Sequence, residues 1–73
     1  LAREERVAAV RAAVLELPAH YREAIVLCDL EEMKYEQAAV VLGCALGTIR
    51  SRVNRGRAML RETLAAWRKE GGR

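Results

Sequence analysis

The chain has 73 residues and a net charge of +3, enough for one small domain that buries about 60% of the surface its unfolded form exposes. That excludes large enzyme architectures. Thirteen alanines, one proline, no phenylalanine and 32% charged residues favour helix over a sandwich, a barrel or a disordered tail. No stretch approaches the ~20 apolar residues that cross a bilayer. Leu1 to Arg11 alternate charge and alanine instead of forming a signal-peptide core. The chain does not begin with methionine, so a fragment lacking an N-terminal partner domain is expected.

Taken in order, the apolar spacing predicts a single domain over residues 1–70 with four helices. Val7, Val10, Val14 and Leu17 share one face of a helix over about 3–16. It ends at Leu17–Pro18, since proline disfavours helical geometry in the residue before it. Pro18 fits the first turn of a second helix, about 18–30. Its stripe is Tyr21, Ala24, Ile25 and Cys28, while Val26, Leu27 and Leu30 point elsewhere. With Val40, these three are a surplus of apolar surface suited to a protein partner. A polar connection leads to a short helix, about 35–42, with Tyr35, Ala38, Ala39 and Leu42 inward. Gly43 follows as a left-handed C′ residue. The last helix, about 47–67, begins at Gly47–Thr48, either of which is a candidate cap. Its stripe is Ile49, Val53, Gly56, Leu60, Leu64 and Trp67. Gly56 inside it costs roughly 1 kcal/mol relative to alanine; it either permits close packing or is simply tolerated. Residues 71–73 read as a loose tail.

Cys28, Cys44 and His20 lack the spacing of a zinc site, and neither a metal nor a cofactor is expected. The cysteines read as small apolar residues in a reducing cytosol, with one disulfide as the alternative. A catalytic centre is not expected either. His20 has no acid or cysteine partner at a defined spacing, and a bundle of this size hardly encloses a pocket.

Charge is polarised along the chain. Residues 1–46 sum to −3 and residues 47–73 to +6, which suggests a polyanionic partner. With Ile49 at zero and about 100° per residue, Arg50, Ser51, Asn54 and Arg55 fall on the face opposite the apolar stripe, flanked by Arg57. These groups are rich in donors and include no carboxylate. A short helix, a tight turn and this long helix make a helix-turn-helix. The major groove admits one helix. Arginine pairs with guanine O6 and N7, asparagine pairs with adenine, and serine donates or accepts. Gly47 and Thr48, at the positive end of the helix dipole, favour a phosphate.

The stretches L-P-A-H-Y-R-E-A-I-V-L (17–27) and K-Y-E-Q-A-A-V-V-L-G-C-A-L-G-T-I-R-S-R-V-N-R-G-R (34–57) resemble the C-terminal region of bacterial sigma-70 family factors. The extracytoplasmic-function group is the nearest, and the resemblance covers about residues 16–64. It implies recognition of the −35 promoter element on double-stranded DNA and carriage on RNA polymerase core through the β-subunit flap. It also implies sequestration by an anti-sigma factor, a bacterial cytoplasmic location without direct membrane insertion, and an upstream domain that reads the −10 element. By position, Arg50, Ser51, Asn54 and Arg55 match base-facing residues. Thr48, Arg52 and Arg57 match phosphate-side residues. Tyr35 and Glu36 start the supporting helix beside the backbone. Lys34 replaces the usual serine or threonine cap and is within reach of a phosphate. Cys28 stands where many members carry a basic residue, Glu32 where glycine is common, and Ala45 where proline or serine is common; Asn54 occupies a variable position.

Two other readings compete with this one. The first is the helix-turn-helix output domain of another transcription regulator, distinguished by failure to associate with the polymerase flap. The second is a purely protein-binding helical module using Val26, Leu27, Leu30 and Val40.

Overall fold

The computed structural model describes residues 2–71, with side chains through Lys69. All of its regular structure is helical: α1 (Arg3–Leu15), α2 (Ala19–Ile25), a π-helical turn over Val26–Leu30 that continues α2, α3 (Tyr35–Leu42) and α4 (Leu46–Gly71). The all-α class, the four helices and the helix-turn-helix are as the spacing predicts.

Several boundaries differ from that prediction. Pro18 precedes α2 in an extended conformation (φ −56°, ψ 148°) instead of lying in its first turn. The second helix is not uniform: its last turn widens, with the Glu31 amide donating to the Val26 carbonyl five residues back at 2.9 Å. Glu32 then adopts a left-handed conformation (φ 57°), and the Met33 amide closes onto the Leu27 carbonyl at 2.9 Å. The last helix starts one residue early and runs on to Gly71, which the sequence places in the tail. Residues 72 and 73 lie outside the described residues.

Local chemistry accounts for the helix ends. The Ala2 amide donates to the Glu5 carboxylate at 3.0 Å, and Glu4 and Glu5 place negative charge where the α1 dipole favours it. At the other end, Arg22 Nη1 donates to the carbonyls of Leu15 and Leu17 at 3.3 Å each. It thereby satisfies acceptors that a helix terminus leaves open. Gly43 ends α3 in the left-handed region (φ 67°, ψ 40°). The Cys44 amide then reaches the Ala39 carbonyl at 3.0 Å and the Gly43 amide reaches Val40 at 3.2 Å, the Schellman pairing.

Val14, Leu17, Ala24, Ile25, Cys28, Ala38, Ala39, Ile49 and Val53 form the core. The predicted α1 face fades towards its start: Val10 is only partly buried and Val7 is 44% exposed. The α4 stripe fades the other way, from buried Ile49, Val53 and Gly56 to half-buried Leu60, Leu64 and Trp67. The reason is length. Twenty-six residues make a rod of about 39 Å at 1.5 Å per residue, close to the molecule's 40 Å long axis. The shorter helices therefore cover only its first half.

Gly56 lies where α4 crosses α2. A Cβ there would stand 2.7 Å from Ile25 Cγ1 and 3.1 Å from its Cδ1. Of the two explanations open for this glycine, close packing is the one the fold uses. No helix among the described residues is long and apolar enough to cross a membrane.

Candidate nucleic-acid interface

The buried stripe of α4 fixes which side chains face away. Ile49 and Val53 are fully buried, so the opposite side of the same two turns is exposed. Arg50, Ser51, Asn54 and Arg55 are all exposed there. Among the described residues Arg50 and Arg55 form no ion pair, and no carboxylate occurs in α4 before Glu62. The four predicted base-reading residues therefore share one open, donor-rich face.

The N-terminal part of this face borders a polar concavity lined by Gly47, Thr48, Ser51, Arg52 and Arg55 from α4. Pro18, just before α2, and His20 and Tyr21 from its start complete it. Sequence reasoning missed these last three as site residues. No spacing rule links positions 18–21 to 47–55; the packing of α2 across α4, set at Gly56, brings them together. The only pointer in the chain is that L-P-A-H-Y-R opens the stretch carrying the family resemblance.

The predicted phosphate-side residues divide into groups. Gly47 is exposed and Thr48 half-buried in the first turn of α4. Neither caps the helix, because it begins at Leu46. The Thr48 amide donates to the Ala45 carbonyl at 3.0 Å, which leaves the Thr48 hydroxyl as its group for an anion. Arg52 is half-buried, with Nη1 3.8 Å from Cys44 Sγ in the turn between the helices. Lys34 is exposed and Tyr35 half-buried at the start of α3; the Lys34 amide donates to the Gln37 side-chain oxygen at 3.2 Å.

Arg57 differs from the other arginines. Its Nε and Nη2 donate to the two carboxylate oxygens of Asp29 at 2.9 and 2.6 Å. The predicted carboxylate-free face therefore holds for Arg50 and Arg55 but not for Arg57. The hydrogen bond to Asp29 raises the guanidinium pKa further above its already high value, against a small loss from burial, with lesser support from Asp29's charge and from Tyr35. Beside this pair, burial and then Asp29 push the Cys28 thiol up, with Arg57 opposing. Both cysteines are free thiols, Cys28 buried and Cys44 half-buried. Among the described residues no group of three or more histidine, cysteine or acidic side chains is arranged to hold a metal ion.

The four predicted docking residues do not form one patch. Val26 and Leu30 line an apolar groove with Val7, Val10, Val14 and Leu15 of α1. Leu27 packs instead against the core. Val40, 82% exposed, lies on the outer side of α3 beside Val41 at 60%. The sequence did not mark Leu15, which is 71% exposed in the groove wall.

Comparison with known proteins adds an independent line. Residues 8–60 match the family described as Sigma-70, region 4. The chain is 50% identical over 56 residues to the ECF RNA polymerase sigma factor SigE of Mycolicibacterium smegmatis, an overlap of 77% of this chain and 22% of that protein. It is 52% identical over 50 residues to the ECF RNA polymerase sigma factor EcfG of Rhodopseudomonas palustris, covering 68% of this chain and 28% of the relative. With the RNA polymerase sigma-H factor of Pseudomonas aeruginosa it shares 37% identity over 62 residues, 85% of this chain and 32% of the relative. The chain thus spans between about a fifth and a third of the length of these relatives.

Proposed function

Since the chain belongs to the sigma-70 region 4 family, we propose that it is the −35 promoter-reading module of an extracytoplasmic-function sigma factor. In this reading α4 enters the major groove of double-stranded DNA and directs RNA polymerase to its start sites. The observation that carries the proposal is the exposed, acid-free face of Arg50, Ser51, Asn54 and Arg55 on the first turns of a helix whose other side is locked into the core. Such a face offers bidentate pairing to guanine from each arginine and to adenine from Asn54. Thr48, Arg52 and the concavity beside His20 and Tyr21 supply donors around it for phosphates, which fix register without reading sequence. Lys34 and Tyr35 at the head of α3 extend this backbone contact. The activity is recognition, not catalysis, and needs no cofactor.

The protein partners belong to another surface. The groove formed by Val7, Val10, Leu15, Val26 and Leu30 is apolar and open, the kind of patch that marks protein association. We assign it to RNA polymerase core, through the β-subunit flap, or to an anti-sigma factor that competes for it, with Val40 and Val41 as a second apolar contact. The proposed setting is the bacterial cytoplasm, in a longer chain whose upstream domain reads the −10 element.

The test is selection of bound sequences from a randomised duplex pool, with wild-type chain and with Arg50→Ala and Arg55→Ala. Each substitution should cost about 1–3 kcal/mol of binding and relax preference at one base position. An unchanged preference in both variants would remove these arginines from the reading face. Failure of the wild-type chain to enrich any sequence, combined with retained capture of core polymerase, would favour the purely protein-binding reading.

A further inference from the structure

Asp29 and Arg57 are 28 residues apart in sequence and meet in a two-point contact between the π-helical turn and α4. Arg57 lies one turn beyond Asn54 and two beyond Arg50. At about 100° per residue it continues their row on the DNA-facing side. Counted by sequence alone it is one more cation for the phosphate backbone. The geometry gives it another occupant. The planar fork of arginine engages carboxylate and phosphate by the same pair of parallel N–H···O bonds, and here both arms of that fork are taken by Asp29.

We propose that Asp29 is a phosphate surrogate built into the fold, which occupies the guanidinium of Arg57 and holds it out of the set of cations that engage the DNA backbone. This rests on the DNA-binding reading above and adds a residue that sets the affinity. Arg57 is exposed and Asp29 half-buried, 45% and 27% of their side chains being open to solvent, so solvent screens the contact and a nearby phosphate competes for the same fork. Asp29 also adds its own negative charge next to the reading row. Both effects limit binding, and neither involves a base contact, so Asp29 acts on affinity for all duplexes alike.

The experiment measures binding of this chain to a short mixed-sequence duplex across a series of salt concentrations. The proteins are wild type, Asp29→Asn, Asp29→Glu, Arg57→Gln and the Asp29→Asn/Arg57→Gln double variant, each checked for native helicity by circular dichroism. Asp29→Asn frees one cation, so its log–log salt slope should steepen by about 0.9, roughly eightfold in affinity over a tenfold change in salt. Asp29→Glu keeps the carboxylate and should behave as wild type. The steeper slope should vanish in the double variant, because it needs Arg57. Arg57→Gln alone should not steepen the slope; it leaves Asp29 as an uncompensated negative charge beside the reading row and should weaken binding. Asp29→Asn binding with an equal or shallower slope while wild type binds normally would overturn the inference and leave the DNA reading standing, as would a steeper slope that persists without Arg57. A wild-type chain that binds no duplex removes the DNA reading and this inference with it.

Discussion

Gly56→Ala is a sharp test of how α4 is seated. Alanine at a helix interior is favoured over glycine by about 1 kcal/mol, so propensity alone predicts a more stable protein. The structure predicts the reverse. The new methyl would stand 2.7 Å from Ile25 Cγ1, 3.1 Å from Ile25 Cδ1 and 3.5 Å from the Tyr21 carbonyl oxygen. Ile25 is 1% exposed, and Cγ1 is not the free end of its side chain. Either Ile25 leaves its rotamer or α4 moves off α2. Overpacking of this kind costs about 1–3 kcal/mol, which after the propensity gain leaves a net loss centred near 1 kcal/mol. In a domain of this size that lowers the melting temperature by about 4–8 °C. Gly47→Ala is the control, because nothing lies within 4 Å of the methyl it would add in the first turn of the same helix; it should be neutral or slightly stabilising. Thermal unfolding of the three proteins by circular dichroism decides the matter. A Gly56→Ala protein that melts at or above wild type would refute the claim that this glycine exists for helix contact.

Two further substitutions probe local geometry. Glu32 holds a left-handed conformation, which costs a non-glycine residue about 1–2 kcal/mol. Glu32→Gly should remove that strain against about 0.5–1 kcal/mol of glycine entropy and raise the melting temperature by a few degrees; no rise would show that Glu32 is unstrained. Arg22→Met keeps the aliphatic stem but removes the donors to the Leu15 and Leu17 carbonyls. It should cost about 0.5–1.5 kcal/mol and speed amide hydrogen exchange in α1 before α3 or α4; equal acceleration everywhere would argue against a role at that helix end.

Patterns of local origin were legible without coordinates. The apolar stripes of α2, α3 and the first half of α4 were readable because one element turning about 100° per residue fixes its own buried face. That placed Arg50, Ser51, Asn54 and Arg55 opposite Ile49 and Val53, since two sides of one helix are set by its own sequence. The left-handed Gly43 was readable for the same reason, as the end of a helix is a local event. Quantities that depend on two elements meeting were not legible. Nothing in the spacing of Asp29 and Arg57 says that a carboxylate in one turn closes on a guanidinium 28 residues later. Nor does it say that His20 and Tyr21 border the same concavity as Thr48 and Ser51. Val7 and Leu64 lie on well-formed stripes and still escape full burial, because burial depends on where a partner helix stops. The sequence by itself determined four helices and a cationic face. Only the tertiary structure decided which groups from other helices border that face and which arginine is already occupied, because distances between helices are fixed by packing rather than by period.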